Sequence, residues 1–302
     1  MPSTFKSWFG VLRLWSLTAS TVPVLVGAAL AARDGRFSWA MIALTLTCGW
    51  LLQVATNLLN TYGDFRSGVD SAERPPTAPQ LVTGALGARA VFAAGLAVLA
   101  LAAALGLWAA ALSDWRLLVF AALGVAGAAG YTTGLRYKYL GLGVPSVFLL
   151  MGVLMVDASY FAQARALTWT PFVAALPVSC LVAAILHGND LRDTATDRAA
   201  QIRTTTLAVG LRGVRGLFYA LHLAPHAVLL ASVAAGALSA WTLLTLLALP
   251  LTAAAVKTCA AGFRAHDAAL IGRLEGLSAA THFLYGLLLV AGLVLANSLG
   301  PR

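Results

Sequence analysis

Apolar runs of about 20 residues recur from one end of the chain to the other. A helix of about that length crosses the ~30 Å hydrocarbon layer of a membrane. Backbone groups find no water there, so only helices and closed barrels can span the layer. Hydrophobic residues make up 60% of the chain and charged residues only 10%, against roughly a quarter charged in soluble domains. These runs therefore predict an all-α, polytopic membrane protein.

The apolar runs predict nine membrane-spanning helices in a single domain over residues 1–302. Alanine and glycine are frequent within the runs, and small residues let helices approach closely in lipid. The predicted spans are 14–32, 39–62, 89–112, 115–133, 143–164, 169–190, 214–235, 238–261 and 278–298.

The basic residues predict how the chain is threaded. With the N-terminus in the cytoplasm, 15 of the 20 Lys and Arg residues fall in cytoplasmic segments, which is the bias that membrane proteins show. The N-terminus is therefore predicted to lie on the cytoplasmic side, and the protein is expected in the cytoplasmic (inner) membrane. This bias accounts for most of the net charge of +9, and cations that neutralise a phosphorylated substrate would account for the rest. Nucleic-acid binding is not expected, because the sequence has no compact basic soluble domain.

Two acidic clusters stand at the cytoplasmic ends of predicted spans. The first runs from Asn60 to Asp70 and the second from Asn189 to Asp197. Each cluster begins with Asn, has an Asp four residues later and contains a further Asp. Residues four apart lie on one face of a helix, so their oxygen atoms would project together. Carboxylates beside a bilayer are costly unless they have a function.

The oxygen donors of the two clusters suit a hard divalent cation, above all Mg²⁺ holding a phosphate-bearing substrate. Asp70 would leave the face that carries the earlier donors, but Gly68 can end the helix in a left-handed turn and bring it back. The alternative is a solvated loop in which acids merely pair with arginines, and two matching clusters on one side favour the site. The candidate metal ligands are Asn60, Asp64, Asp70, Asn189, Asp193 and Asp197.

These motifs resemble those of the UbiA superfamily of intramembrane prenyltransferases. The resemblance is carried by the segments Leu12–Ser16, Asn57–Phe65, Gly68–Asp70, Gly130–Gly134, Tyr139–Gly143 and Asn189–Arg198. The chain is most similar to the branch that prenylates 1,4-dihydroxy-2-naphthoate in menaquinone biosynthesis (MenA) and to the related animal vitamin K branch.

The resemblance implies a helical bundle around a central cavity with a cytoplasmic cap. It implies Mg²⁺-dependent transfer of an isoprenyl group from a polyprenyl diphosphate to an aromatic acceptor, here 1,4-dihydroxy-2-naphthoate. The residues implied in catalysis are Asp64, Asp70, Asp193, Asp197, Lys138 and Tyr139. The residues implied in contact with diphosphate or substrate are Asn60, Asn189, Arg66, Arg74, Arg136, Arg198 and Arg203.

Several alternatives stay open at this point. The chain could prenylate a different acceptor, or be a UbiA-type terpene cyclase. A transporter is a third possibility, although its ion sites would be expected near the membrane midplane rather than at helix ends. Asp157, inside a predicted span, is either functional or hydrated near the outer surface. His187 could orient a motif residue, contact the acceptor or simply pack, and Tyr62, Tyr131 and Tyr139 are candidates to shield a carbocation.

Overall fold

The computed structural model describes residues 4–72 and 78–300, and the regular elements there are helices. Short 3₁₀ segments lie at Leu14–Leu17, Tyr137–Tyr139 and Ala240–Ala248. In chain order the α-helices are α1 (Thr4–Leu12), α2 (Thr18–Arg33), α3 (Trp39–Arg66), α4 (Ala88–Leu112), α5 (Leu117–Gly130), α6 (Gly143–Val147), α7 (Met155–Ala164), α8 (Trp169–Arg192), α9 (Thr194–Ala199), α10 (Thr205–Ala234), α11 (Leu249–Ala265), α12 (Ala268–Gly272) and α13 (Leu274–Leu299).

Eight helical segments among the described residues are long and apolar enough to cross a membrane. They correspond to eight of the predicted spans. The remaining prediction, 115–133, contains α5, which has 14 residues. At 1.5 Å per residue this helix extends over ~21 Å, less than the hydrocarbon thickness. The all-α membrane fold is therefore confirmed, whereas the count of nine spanning helices is not.

The centre of the bundle is formed by α2, α8 and α13. Their fully buried side chains share one core, which includes Val26, Leu30, Leu181, Tyr285 and Leu289. On one side of this core α3 packs against α4, and α4 against α5. The space left between the central helices and the α3–α5 group is a cavity.

One wall of this cavity is a wide turn of helix. Residues Phe148–Leu154 form a π-helix that joins α6 to α7, so that 143–164 is one continuous span. Such wide turns are frequently found at functional sites. Leu150 and Met151, within the π-helix, line the cavity.

The end of α3 carries the first acidic motif and turns sharply. Gly68 adopts a left-handed conformation with φ of 73°. The backbone N–H groups of Val69 and Asp70 then both donate to the carbonyl oxygen of Asp64, at 3.0 and 3.2 Å. This is the kind of helix end that a glycine permits. The left-handed helix end predicted at Gly68 is confirmed, and it brings the backbone of Asp70 back to the carbonyl of Asp64.

Candidate active site

Asp64 lies at the end of α3 and is bound by a lysine from a distant segment. The ammonium of Lys138, in the 3₁₀ turn Tyr137–Tyr139, donates to the two carboxylate oxygens of Asp64 at 2.8 and 3.0 Å. It also donates to Oδ1 of Asn60 at 3.3 Å. Asn60 and Asp64 are both buried. The first motif is therefore organised around one buried cation.

Tyr139 completes this arrangement from the same turn. Its hydroxyl donates to Oδ1 of Asp64 at 2.7 Å and lies 3.1 Å from the hydroxyl of Ser67. Burial by itself lowers the pKa of Lys138, but the carboxylates of Asp64 and Asp190 outweigh burial and raise the pKa overall. The lysine therefore stays positively charged at neutral pH.

The second motif keeps its helical spacing across the junction of α8 and α9. The backbone N–H of Asp193 donates to the carbonyl of Asn189 at 3.0 Å, and that of Asp197 donates to the carbonyl of Asp193 at 2.9 Å. These hydrogen bonds continue the helical pattern, so the three residues stay on one side. Asp197 is buried and Asp193 is half-buried.

Asp193 also has a cationic partner, but a neighbouring one. Arg192 donates to both carboxylate oxygens of Asp193, each at 2.8 Å. The same guanidinium donates to Oε2 of Glu275 at the start of α13. Arg192 is thus shared between two carboxylates from different helices.

The carboxylates of the two motifs influence one another across the bundle. Burial raises the pKa of Asp70 to about 7, and the charges of Asp64 and Asp193 add to the increase. Burial likewise raises the pKa of Asp197 to about 7, with Asp193 and Asp64 adding repulsion. Lys138 opposes both increases. The structure therefore brings the two motifs together at one end of the bundle, here called the motif end.

Below this cluster lies the cavity, with a volume of about 210 Å³. Its polar end includes Asn60, Lys138, Asn189 and Glu275. Much of its remaining lining is apolar, with Leu150, Met151, Met155, Val182 and Ile185 among its residues. An amphiphilic molecule with an anionic head and a hydrocarbon tail matches this division.

Four of the arginines predicted to contact diphosphate are exposed. Arg66, Arg136, Arg198 and Arg203 lie at the surface of the motif end, while Arg74 lies outside the described residues. The backbone of Arg203 pairs with Leu140, next to the lysine turn. The structure thus gathers Asn60, Asp64, Asp70, Lys138, Tyr139, Asn189, Asp193 and Asp197 into the cluster, and leaves these four arginine side chains around its rim.

Sequence reasoning missed four charged residues at the site. Asp190 is buried, and its negative charge helps to raise the pKa of Lys138. Arg192 binds Asp193, and Glu275 binds Arg192. Arg13 lines the cavity in a left-handed backbone conformation. Asp190 and Arg192 stand inside the second motif and could have been included, whereas the sequence around Glu275 carries no comparable signal.

Two other candidates have packing contacts instead. His187 is fully buried, and its Nε2 lies 2.8 Å from the carbonyl oxygen of Val214 on α10. Tyr62 stacks on Phe92 of α4, with ring centroids 4.5 Å apart. Asp157 is half-buried on α7. Of the three roles considered for His187, its contacts favour packing.

The donor set fits a cation that completes its shell with substrate and water. Among residues 4–72 and 78–300, no group of three His, Cys, Asp or Glu side chains is arranged to hold a metal ion by itself. Mg²⁺ characteristically uses one or two carboxylates and takes further ligands from substrate phosphates and water. Asp64 and Asp193 already bind cationic groups through their oxygens, which shows that these oxygens accept positive charge.

Comparison with known proteins agrees with this geometry. Residues 20–285 match the model of the UbiA prenyltransferase family. The chain is 30% identical to a 1,4-dihydroxy-2-naphthoate octaprenyltransferase of Bacillus subtilis, over 93% of this chain and 90% of the relative. It is 33% identical to a UbiA prenyltransferase domain-containing protein 1 homolog of Drosophila melanogaster, over 81% of this chain and 69% of the relative.

A solved structure has the same fold. The structure of a UbiA homolog from Archaeoglobus fulgidus bound to DMAPP and Mg²⁺ superimposes with a TM-score of 0.59. The match covers 94% of this chain and 99% of the homolog, at 16% sequence identity.

Proposed function

The chain belongs to the UbiA prenyltransferase family, and we propose that it transfers a polyprenyl group from its diphosphate to 1,4-dihydroxy-2-naphthoate with the help of Mg²⁺. The predicted resemblance to the MenA and animal branch is confirmed by relatives from both. That the chain is a prenyltransferase follows from the family, and the acceptor, the cation and the site residues are the proposal.

One observation carries the proposal. Two carboxylate motifs, from α3 and α8, converge with Lys138 beside a cavity that Asn60, Lys138 and Asn189 line together with apolar side chains. A polyprenyl diphosphate has a polyanionic head and a hydrocarbon tail, so its two ends would match the two ends of this cavity. The homolog from Archaeoglobus fulgidus was solved with a ligand of this class.

Asp64, Asp70, Asp193 and Asp197 would hold Mg²⁺, supported by Asn60 and Asn189. Once bound, the cation would offset the negative charge that builds on the leaving diphosphate. Burial is the main reason that the pKa values of Asp70 and Asp197 are raised, and repulsion from Asp64 and Asp193 adds to it. A bound divalent cation would relieve that repulsion, which supports this assignment.

The chain's own charges would assist departure of the diphosphate. Lys138 keeps its ammonium charged in a buried position, where electrostatic interactions are stronger than in water. As the bond between the allylic carbon and the diphosphate oxygen breaks, Lys138 would donate to the oxygen that gains charge. The rings of Tyr131 and Tyr137 line the cavity, and an aromatic face can stabilise the resulting allylic cation.

The acceptor would bind beside Arg13. The Nε of Arg13 is buried without a hydrogen-bond partner, and the neighbouring cavity wall carries Ser16, Gln53 and Asn57. Asn57 donates to the hydroxyl of Ser16 at 3.0 Å, so this wall is polar and ordered. A naphthoate carboxylate would pair with the guanidinium. The ring carbon that bears the carboxylate would form the new bond to the allylic carbon. The carboxylate would then leave as carbon dioxide, and its bonding electron pair would return to the aromatic ring.

The prenyl tail would continue into a second, almost entirely apolar cavity of about 110 Å³. The two cavities share Leu52, Gly124, Leu150 and Met155.

The variant Gly124→Leu tests this path, because a leucine side chain at position 124 would fill the junction of the two cavities. Turnover of long prenyl diphosphates should fall by roughly tenfold, since each buried methylene is worth ~0.8 kcal/mol. Turnover of DMAPP should be nearly unaffected. Gly216→Leu is the control, because position 216 on α10 has open space around it.

The proposal is tested with purified protein, Mg²⁺, a length series of prenyl diphosphates and a panel of aromatic acceptors, with products identified by mass. Prenylated, decarboxylated naphthoquinol is the expected product. Turnover only with another aromatic acid would reassign the acceptor. A cyclic hydrocarbon released without any acceptor would indicate a cyclase, and solute uptake by proteoliposomes without diphosphate release would indicate a transporter.

We further propose that the motif end faces the cytoplasm. The exposed arginines Arg66, Arg136 and Arg198 surround it, as expected for a cytoplasmic surface. In a cysteine-free background, a membrane-impermeant maleimide applied to intact cells should label Arg116→Cys and not Arg66→Cys. The reverse labelling would invert the orientation without affecting the proposed chemistry.

A further inference from the structure

The first turn of α13 places a carboxylate beside the second motif. Oε2 of Glu275 accepts a hydrogen bond from Nη1 of Arg192, and Glu275 lines the cavity together with Asn189. With the amide of Asn189 turned to satisfy its neighbours, its oxygen accepts from Arg192 at 2.7 Å and its nitrogen donates to Asp193 at 3.3 Å. The guanidinium is therefore surrounded by three acceptors from two helices.

The position of Glu275 is set by backbone packing. A Cβ atom placed on Gly188 would lie 2.7 Å from the backbone nitrogen of Glu275 and 2.9 Å from its Cα. Only a residue without a side chain allows α13 to begin this close to α8. The backbone of Glu275 thus packs against Gly188, which directly precedes Asn189 of the second motif on α8.

Arg192 and a metal ion would compete for the same atoms. Both carboxylate oxygens of Asp193 accept from the guanidinium, so a divalent cation at Asp193 would compete with the guanidinium for these oxygens and repel its positive charge. The side chains of Arg192, Asp193 and Glu275 are 28%, 37% and 30% exposed. Ion pairs that are partly open to solvent are weaker and exchange partners more readily than fully buried ones. Displacement is therefore easy, provided that the arginine has another partner.

We propose that Glu275 is a positioning residue, which retains Arg192 beside the diphosphate when Mg²⁺ takes over Asp193. This inference rests on the proposed function. Before the metal binds, Arg192 bridges Asp193 and Glu275. After it binds, Arg192 stays on Glu275 and directs its free N–H groups toward the anionic end of the cavity. A planar guanidinium has enough donors to bind carboxylate and phosphate oxygens together.

The test measures metal affinity without turnover. The unfolding temperature of the purified protein is followed against Mg²⁺ concentration at fixed inorganic diphosphate, since a ligand of the folded state raises it. Glu275→Gln leaves Arg192 with Asp193 alone, so the Mg²⁺ concentration for half-maximal stabilisation should rise by about three- to tenfold, the size of a coupling between contacting groups. Arg192→Gln removes the competitor and should lower that concentration.

The double variant separates positioning from other roles. In the Arg192→Gln background, Glu275→Gln should change the Mg²⁺ requirement by less than about twofold, since the coupling partner is gone. If Glu275→Gln weakens Mg²⁺ binding equally in the wild-type and the Arg192→Gln backgrounds, Glu275 is a direct metal ligand and the inference is overturned. A lower unfolding temperature with an unchanged Mg²⁺ requirement would reduce Glu275 to a structural role and overturn it as well.

A matched control and a second readout complete the design. Asp267→Asn removes one negative charge close to α13 and keeps the cap of α12, where Oδ1 of Asp267 accepts from Ala269 and Leu270. It should leave the Mg²⁺ requirement unchanged.

In turnover assays Glu275→Gln should raise KM for the prenyl diphosphate more than it lowers kcat. If the wild-type protein shows no stabilisation by Mg²⁺ with diphosphate, the proposed function fails too. Normal wild-type stabilisation with an unaffected Glu275→Gln variant removes only this inference.

Discussion

Asp64 in the first motif and Asp193 in the second both follow an Asn by four residues, yet their cations come from different places. Lys138 reaches Asp64 from a segment far along the chain, and the two side chains are only 13% and 8% exposed. Arg192 is the neighbour of Asp193 in sequence, and these side chains are 28% and 37% exposed. The first pair is created by tertiary packing and shielded from water, whereas the second is local and accessible.

This difference indicates a division of labour between the motifs. A buried charge pair holds its partners firmly, because separating them leaves an uncompensated charge. An exposed pair exchanges partners at little cost. In the proposed mechanism the first motif would therefore provide a fixed point for the diphosphate, and the second an adjustable one that responds to the cation.

The largest expected effect is loss of turnover in Asp64→Asn and in Asp193→Asn. Each variant removes one negative charge from the site that would hold Mg²⁺, and we expect a fall in kcat/KM of at least about 1,000-fold, or roughly 4 kcal/mol at the transition state. Asp114→Asn is the control, because Asp114 forms an exposed pair with Arg116 in another loop, at 2.8 Å. Near-normal turnover of either motif variant at saturating Mg²⁺ would remove that motif from the site.

The second prediction separates the motifs by stability. Lys138→Met leaves the buried Asp64 without its cation, so the substrate-free protein should lose about 3 kcal/mol of unfolding free energy. Arg192→Gln should lose less than about 1 kcal/mol, as exposed pairs do. Unfolding in detergent without Mg²⁺ measures both. Equal losses of unfolding free energy in the two variants would contradict the proposed difference between the Lys138–Asp64 and Arg192–Asp193 pairs.

The third prediction concerns how each motif places its last carboxylate. Asp70 returns through the left-handed Gly68, whereas Asp197 simply continues the helical hydrogen bonds of Asp193. Gly68→Ala should cost about 1 kcal/mol of stability and should also lower turnover by about tenfold, because Asp70 moves. Gly236→Ala, at another left-handed glycine with open space around it, should cost the same stability and leave turnover intact. Equal turnover in the two variants would show that the position of Asp70 is unimportant.

The smallest predicted effect tests the hydrogen bond that Tyr139 donates to Asp64 in the first motif. Tyr139→Phe removes the donor to Asp64 and keeps the ring, so kcat should fall by about three- to tenfold, in line with ~1 kcal/mol for such a bond. Tyr160→Phe is the matched control, because its hydroxyl donates to a carboxylate oxygen of Asp34 at 2.6 Å, far from the motifs in sequence. A similar change in both variants would point to a general packing effect.

Much of the fold followed from local pattern. Apolar runs of membrane length predicted the helices, because the backbone has to satisfy its own hydrogen bonds in lipid. The turn at Gly68 was also predictable, because a residue without Cβ marks a left-handed helix end. The short α5 and the π-helix at Phe148–Leu154 were not, since a helix adjusts its length and winding to the helices it packs against.

What the sequence by itself determined is the membrane class, the two motifs and the helix ends on which they stand. Each of these depends on residues close together in the chain. Only the tertiary structure decided that Lys138 binds Asp64, that Glu275 holds Arg192, and that Arg66, Arg136, Arg198 and Arg203 stay exposed. Such pairings depend on which helix ends packing brings together, here through the close approach of α13 to Gly188, and no local spacing encodes that distance.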